Sequence, residues 1–474
     1  CIRDRKEIYG EEIRKAIQTP GKQNRKKAEE EIAERVISHF CPEDSVELKY
    51  DPLFVRKLFD QLKRDEERAL IASGTRADGR AHDEIRPISC EVGILPRTHG
   101  SSLFTRGETQ ALVVVTLGTE LDEQRVDGLQ DEYTEKFLVH YDFPAFSVGE
   151  TWPNRGPRRR EIGHGNLARK ALWPVAPDEN EFPYTIRVNS DILESNGSSS
   201  MATVCGGSLA LMDAGIPIRR PVSGIAMGMV KEGEKVFILS DIQGSEDHHG
   251  DLDFKVAGTD RGITALQLDC KIKGIEFDVL FKALTQAREG RLFILDRMCQ
   301  VLPKPRDHHS PYAPRNLQFM INPDKIGIVI GPSGKTVKKI QDQTGCTIAV
   351  DDDGRVSIWG PGEESTKRCR EMIEALVEEA EVGKIYDGKV VAVKEFGCFV
   401  EILPGQEGFL HISELADGYV ERASDVVSVG DRIRVKCIEI GPDGRVKLSK
   451  RAADQEEGRV SLVPRAEGRP RRSQ

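Results

Sequence analysis

Asp251-Leu252-Asp253-Phe254-Lys255-Val256 alternates without a break. A period of two is that of a β-strand, so Leu252, Phe254 and Val256 share one face and Asp251, Asp253 and Lys255 line the other. Short β-branched runs recur at 112–117 and 236–239. Between them, residues 204–214 are apolar and small, with the texture of a helix. Strands interleaved with apolar helices over 75–303 predict a mixed α/β domain. The acidic loop Ser245-Glu246-Asp247-His248-His249 precedes the strand. Carboxylates with a lysine beside them can hold a divalent cation and steady developing phosphate charge; equally, such a row can be a solvated strand face carrying an ion pair.

Upstream, residues 1–74 read as helical. Ile32, Val36 and Ile37, then Leu53, Phe54, Leu58, Phe59 and Leu62, recur at helical spacing among charges of both signs. Such a unit packs and carries no chemistry of its own. Ser73-Gly74-Thr75 ends the pattern. Downstream, Pro303, Pro305, Pro311 and Pro314 stiffen a linker over 304–318. Residues 319–380 form a compact β/α unit. Residues 381–452 read as strands at 389–393, 398–402, 434–440 and 446–448, with Asp443-Gly444 as a hairpin turn. Residues 453–474 lose apolar periodicity. With Arg465, Arg469, Arg471 and Arg472 they read as a disordered tail able to touch phosphate.

The 474 residues are 38% hydrophobic and 31% charged, with a net charge of −9. No run of 18 apolar residues and no basic-then-apolar leader occurs, so neither a transmembrane helix nor a signal peptide is expected. Cys1 in place of an initiator Met predicts that the chain is part of a longer one. The ten cysteines, at 1, 41, 90, 205, 270, 299, 346, 369, 398 and 437, include no C-x-x-C pair. They fit buried thiols in a reducing cytoplasm better than a zinc or redox site. Net acidity excludes a nucleic-acid binder that works by bulk charge. Any RNA site is a local patch, and Arg158-Arg159-Arg160 and Lys335, Lys338 and Lys339 supply two.

Four further motifs carry chemistry. Ser195-Asn196-Gly197-Ser198-Ser199-Ser200-Met201-Ala202 precedes the apolar helix. Small residues let the backbone approach an anion, and hydroxyls and a helix N-terminus donate to it, which suits inorganic phosphate; a plain N-cap is the alternative. A serine-hydrolase elbow is excluded, because Met201 stands where its last glycine belongs. In Pro157-Arg158-Arg159-Arg160-Glu161-Ile162-Gly163-His164-Gly165, consecutive arginines before a helix can grip phosphate oxygens, or form a solvated basic turn. Ile330-Gly331-Pro332-Ser333-Gly334-Lys335-Thr336 fails as a Walker A loop, because Val329 replaces the required glycine. Its G-x-x-G turn, between apolar 326–330 and a helix, fits a KH module that clamps about four nucleotides. Glu395-Phe396-Gly397-Cys398-Phe399-Val400 and Gly408-Phe409-Leu410-His411-Ile412-Ser413 place Phe396, Phe399 and His411 as a candidate stacking platform on an OB-fold barrel, unless the rings are core.

Taken together, these motifs resemble the polynucleotide phosphorylase family from about residue 1 to 451. Leu95-Pro96-Arg97-Thr98-His99-Gly100, Phe104-Thr105-Arg106-Gly107-Glu108-Thr109-Gln110, the run 159–165, the serine turn and residues 241–255 resemble its second RNase PH-type core domain. The KH turn and the S1-type barrel follow in the family's order. The resemblance implies a multi-domain α/β protein: a helical linker domain, an RNase PH-like α+β core, a KH module and an S1-type OB-fold β-barrel. It implies a phosphate-dependent 3′→5′ exoribonuclease, reversible, that releases nucleoside diphosphates in mRNA degradation. By the same resemblance Ser199 and Ser200 hold the attacking inorganic phosphate. Asp247, Asp253 and Lys255 hold Mg²⁺ or Mn²⁺, and Arg159 and Arg160 bind RNA or phosphate with His164 close by. Asp247 is the candidate for proton transfer, and Gly331, Pro332, Ser333, Gly334, Lys335, Phe396, Phe399 and His411 bind RNA. Expected partners are single-stranded RNA, two further copies in a homotrimer of the full-length form, and a helicase or endonuclease, in the cytoplasm and off the membrane. The family carries two RNase PH-type domains where this sequence has one, which implies lower activity for this chain. A hydrolytic exoribonuclease and an RNA-binding scaffold with a silent core are the competing readings.

Overall fold

The structure, a computed structural model, describes residues 2–42, 50–129, 131–153, 156–178, 181–403, 405–418, 420–441 and 445–456. It divides into two compact units, Cys1–Pro314 and Arg315–Gln474.

The first unit begins with three helices, α1 (Ile2–Ile17), α2 (Lys22–Phe40) and α3 (Pro52–Ala72). Asp51 caps α3 by accepting from the Leu53 N–H, and Pro52 takes the first turn, where its missing N–H costs nothing. Val55, Phe59 and Leu62, spaced i, i+4 and i+7, pack with Ile13, Ile32 and Val36 into a small core. Leu53 and Phe54, expected to join them, are exposed instead, because the inward stripe passes through Val55.

The α/β part follows. Its strands are β1 (Ile88–Val92), β2 (Gly100–Arg106), β3 (Thr109–Gly118), β4 (Gln124–Val126), β5 (Tyr133–Glu135) and β6 (Phe137–Asp142), then β7 (Thr185–Glu194), β8 (Ser223–Glu232), β9 (Lys235–Ser240), β10 (Leu252–Gly258) and β11 (Ile263–Cys270). Four helices accompany them: α4 (Arg159–Leu172), α5 (Ser199–Asp213), α6 (Gly244–His249) and α7 (Phe277–Val301). One sheet runs β1-β2-β3-β7-β6, the other β11-β10-β8-β9, and β4 and β5 pair separately. Only the β6–β7 pairing of the first sheet is parallel. All 15 residues of α5 are buried. The helix lies against both sheets: a Cβ on Gly206 would stand 2.7 Å from Val113 of β3, and one on Gly224 of β8 would stand 2.6 Å from Met201. A helix that is apolar all round belongs in such a place.

The alternating stretch is β10, and Leu252, Phe254 and Val256 face the core. Residues 245–249, expected as a loop, form α6. A capping box explains this, since the Glu246 carboxylate accepts from the Gln243 N–H at 2.7 Å and starts the turn. The proline-rich stretch packs on this unit. Arg306 Nε lies 2.8 Å from Asp213 Oδ1, the His309 ring meets the Ala214 carbonyl at 2.9 Å, and Ala313 is buried.

The second unit opens with β12 (Arg315–Met320), which takes in 315–318, residues that proline content assigns to the linker. Then come α8 (Ile326–Ile330), α9 (Lys335–Thr344), β13 (Thr347–Val350), β14 (Arg355–Gly360) and α10 (Glu363–Val377), with strand order β12-β14-β13. A closed barrel follows in the order β15-β16-β17-β19-β18, made of β15 (Ile385–Lys394), β16 (Gly397–Leu403), β17 (Gln406–His411), β18 (Arg432–Ile440) and β19 (Val446–Ser449). Closure leaves the strands no free edges. Residues 453–456, assigned to the disordered tail, belong instead to α11 (Lys450–Glu456). There Ala453 is buried, and Lys450 pairs with Asp454 at i, i+4. The Asp443-Gly444 turn and Arg465, Arg469, Arg471 and Arg472 lie outside the described residues. Among the described residues no helix is long and apolar enough to cross a membrane.

Gly100 tests the packing of α5. A Cβ there would stand 2.5 Å from the Ala210 carbonyl and 2.6 Å from the Ala214 nitrogen, both backbone atoms. Gly100→Ala is expected to destabilise the first unit by about 1–3 kcal/mol, read as a lower urea midpoint; an unchanged midpoint would refute the close approach.

Candidate functional site

The N-terminus of α5 opens into a cavity of about 390 Å³ whose wall includes Ser195 to Ser199, Arg160, His164, Asp247, Lys255 and Lys22. Two larger hollows, of about 620 and 660 Å³, adjoin α4 without gathering either the serine turn or Asp247. Gly197 and Ser198 have left-handed backbones, φ 95° and 51°. A Cβ on Gly197 would stand 2.5 Å from the Ile242 carbonyl, so only glycine fits there. The turn places the free N–H groups of the helix at the cavity. Ser199 Oγ meets Tyr141 Oη at 2.6 Å. The hydroxyls of Ser198 and Ser200 are buried without a protein partner. Orphan hydroxyls beside a helix N-terminus fit a bound anion.

Beneath the turn lies a buried ion cluster. Asp241 accepts from Arg86 at 2.7 and 2.8 Å, and Arg106 Nε and Arg80 Nη1 lie 2.7 and 3.5 Å from its oxygens. Burial alone would raise the Asp241 pKa. The guanidinium groups of Arg106 and Arg86 outweigh it and hold the carboxyl well below the usual carboxylate range. The same arginines reach onward. Arg86 donates to the Asn196 carbonyl at 2.7 Å, and Arg106 donates to those of Gly197 and Ser198, each at 3.2 Å. Arg76 clamps Glu246 of α6 at 2.7 Å through Nε and donates to the Asp241 carbonyl at 3.0 Å.

The polar side chains at and just before the start of β10 are divided. Asp251 is taken by Arg68 of α3 at 2.9 Å. Asp253 is buried, and one of its oxygens has no hydrogen-bond partner. Burial, then the negative charge of Asp247, pushes its pKa up to about 6. Lys255 donates to Gln267 at 3.3 Å, and Lys271 stands 4.0 Å from Asp253. His164 is half-buried, its ring edge-on to Tyr141 at 5.0 Å, with Nδ1 unpartnered. Burial, then Lys255 and Arg160, push its pKa down to about 3, so the imidazole is neutral. The Arg160 guanidinium sits 3.8 Å over the Phe143 ring. Of the candidate residues, Arg160, His164, Ser199, Asp247 and Lys255 line the cavity, whereas Arg159, Ser200 and Asp253 lie off its wall.

Among the described residues no three His, Cys, Asp or Glu side chains converge as a metal group. Two repelling carboxylates with one unpartnered oxygen nevertheless fit a divalent cation, which can be bound through one or two carboxylates plus substrate phosphates. Glu246 and His249, from the same acidic segment, are structural; His249 pairs with Glu67.

In the second unit Gly331, Ser333 and Gly334 have φ of 72°, 52° and 73°. A Cβ on Gly331 would clash with Thr336 Oγ1 at 2.0 Å, whereas one on Gly334 would meet nothing within 4 Å. The turn is therefore open on the Gly334 side, and Pro332, Lys335, Lys338 and Lys339 are exposed around it. On the barrel, Phe396 is exposed. Phe399, Phe409 and His411 form a ring row with centroid spacings of 5.3 and 6.2 Å. Val400 and Leu410, between them in sequence, fill the barrel. Phe409 was not singled out from the sequence. Its signal was the alternation of Gly408 and Leu410 inward with Phe409 and His411 outward. Lys22, Tyr141 and Asp241 had no comparable local signal.

Asp241→Asn is expected to cost about 3–5 kcal/mol of stability, because it strands buried arginines; a urea midpoint equal to that of the unaltered chain would refute the role of the cluster.

Four family models match along the chain. "Polyribonucleotide nucleotidyltransferase, RNA binding domain" matches residues 4–81 and "3' exoribonuclease family, domain 1" matches 84–217. "KH domain" matches 316–375 and "S1 RNA binding domain" matches 379–451. A polyribonucleotide nucleotidyltransferase of Halothermothrix orenii is 54% identical over 94% of this chain and 66% of its own length. Those of Desulfitobacterium hafniense and Heliobacterium modesticaldum are 54% and 53% identical, over 92% and 94% of this chain and 61% and 62% of theirs. The chain thus spans 61–66% of the length of these curated relatives. With that succession of domains and that identity along it, the chain belongs to the polyribonucleotide nucleotidyltransferase family.

Proposed function

We propose that the first unit carries the catalytic site of a phosphate-dependent 3′→5′ exoribonuclease, working in the cytoplasm in mRNA degradation. The observation that carries this reading is one cavity faced by two opposite chemistries: an anion-accepting helix N-terminus with the orphan hydroxyl of Ser198, and Lys255 beside the Asp247 carboxylate. Inorganic phosphate would sit on the turn, held by the backbone N–H groups of α5 and the hydroxyls of Ser199 and Ser200. One of its oxygens attacks the terminal phosphodiester. The bond from that phosphorus to the 3′ oxygen of the preceding nucleotide breaks, and a nucleoside diphosphate leaves. The freed 3′ oxygen takes a proton, for which Asp247 is the candidate. Lys255 and Arg160 offset charge on the transferring group, and neutral His164 offers a hydrogen bond without adding charge. Mg²⁺ or Mn²⁺ at Asp247 and Asp253 would supply further neutralisation. Arg159, exposed at the start of α4, would meet the RNA backbone. Every step runs backwards, so diphosphates also polymerise.

The KH turn (Gly331, Pro332, Ser333, Gly334, Lys335) would clamp RNA backbone, and Phe396, Phe399 and His411, with Phe409, would stack bases. The proposed assembly of the full-length protein is a homotrimer, open to helicase and endonuclease partners.

Degradation of a labelled RNA by the full chain is expected to need inorganic phosphate and to yield nucleoside diphosphates; monophosphates formed without phosphate would establish hydrolysis instead. Asp253→Asn is expected to abolish degradation and polymerisation together while the melting temperature holds, and activity kept in either direction would remove Asp253 from the site.

Deleting residues 315–474 leaves the cavity and removes the tethered RNA contacts. Tethering raises affinity by roughly 10²–10⁴ without new chemistry. The deletion is therefore expected to raise KM for long RNA far more than it lowers kcat. Loss of kcat at constant KM would overturn the tethering role.

A further inference from the structure

Lys22 is the first residue of α2, on the helical part of the first unit, yet its side chain lines the cavity of the serine turn. Its position is fixed at both ends. Its backbone N–H donates to Glu108 Oε1 at 2.8 Å, and the other oxygen of Glu108 accepts from Asn196 Nδ2 at 2.8 Å. Its ammonium donates to the Ser195 carbonyl at 2.6 Å. One carboxylate therefore ties the start of α2 to the serine turn, and the lysine lies along the turn itself. Glu108 is the carboxylate that acts most strongly on the ammonium, and its oxygens are already engaged. The hydrogen bond that the ammonium makes goes to a neutral carbonyl. A half-buried cation so placed keeps charge and donors for an anion. Burial lowers its pKa, and an anionic ligand would offset that cost.

We propose that Lys22 is a ligand of the attacking inorganic phosphate, so that the helical part supplies one cation of the catalytic site. This rests on the reading of the cavity as a phosphate site. The attacking phosphate becomes the β-phosphate of the released diphosphate, so Lys22 holds the same group in both directions. Its removal raises KM for phosphate in degradation and KM for diphosphate in polymerisation, and leaves KM for RNA alone.

The test is calorimetric titration of inorganic phosphate into the full chain. Lys22→Met is expected to weaken binding roughly tenfold or more, the range of a hydrogen bond to a charged group. Lys22→Arg is expected to restore most of it. Lys27→Met, on the exposed side of the same helix, is expected to bind as the unaltered chain does. In the unaltered chain, bound phosphate is expected to slow acetylation of Lys22 relative to Lys27, a measurement that needs no variant. An unchanged dissociation constant in a folded Lys22→Met, no protection from acetylation, or a rise in KM for RNA in place of phosphate would each overturn the proposal. Failure of the unaltered chain to bind phosphate at all would instead remove the phosphate reading of the cavity itself.

Discussion

The Asp241 carboxylate holds the site together. It is fully buried, and three guanidinium groups converge on it from residues far ahead of it in sequence: Arg80 and Arg86 ahead of β1, and Arg106 at the end of β2. Such a cluster is expensive to desolvate, and its net contribution to stability is small or negative compared with well-packed apolar groups. Its value is positional. Arg86 and Arg106 extend from it to the carbonyls of Asn196, Gly197 and Ser198, and Arg76, bonded to the Asp241 carbonyl, extends to Glu246. The serine turn and α6, which presents Asp247, are thereby indexed to one point. The backbone of Asp241 lies at φ 50°, a left-handed conformation that aspartate tolerates better than most residues. Two opposite walls of the cavity keep their spacing because they share this anchor.

The second constraint is the burial of α5. A helix enclosed on all sides has no solvent to satisfy its ends, so its N-terminal N–H groups require a partner. Small residues let the sheets close on it, and the turn at Gly197 and Ser198 then directs those N–H groups into the cavity. Packing and chemistry have one cause here: the tighter the enclosure, the stronger the demand for an anion at the only open end. The unpartnered hydroxyls of Ser198 and Ser200 express the same demand.

What could be read from the sequence divides along the same lines. Periodicities carried by neighbouring residues were legible: β10 from strict alternation, α5 from its apolar run, the G-x-x-G turn and four strands of the barrel, with β17 missed. Where several partners compete for one residue, local pattern misleads. Asp251 shares a face with Asp253 but goes to Arg68 of α3, and Glu246 and His249 go to Arg76 and Glu67. Residues 245–249 looked like a loop because polarity hides a short capped helix. Lys22 was invisible for a stronger reason. Nothing in a polar helix start distinguishes a lysine in solvent from one folded across 173 positions of sequence onto Ser195.

An acidic protein proposed to handle polyanions needs an electrostatic account. The net charge is −9, yet the cavity gathers Lys22, Arg160 and Lys255 against Asp247, with Asp253 close behind. Screening confines each of these charges to about 8 Å at physiological salt. The acidic body therefore does little to repel phosphate from the cavity, while the lysines and arginine act at contact range. A uniformly basic surface would raise affinity for RNA everywhere, including for chains lying out of register with the site, and would hold the anionic product. In the proposed reaction a diphosphate must leave after every nucleotide, so short-range attraction in an otherwise acidic setting favours turnover over retention. In the proposed function the second unit would answer the remaining need, a hold on the RNA, with rings and a tight backbone turn, contacts that depend less on bulk charge.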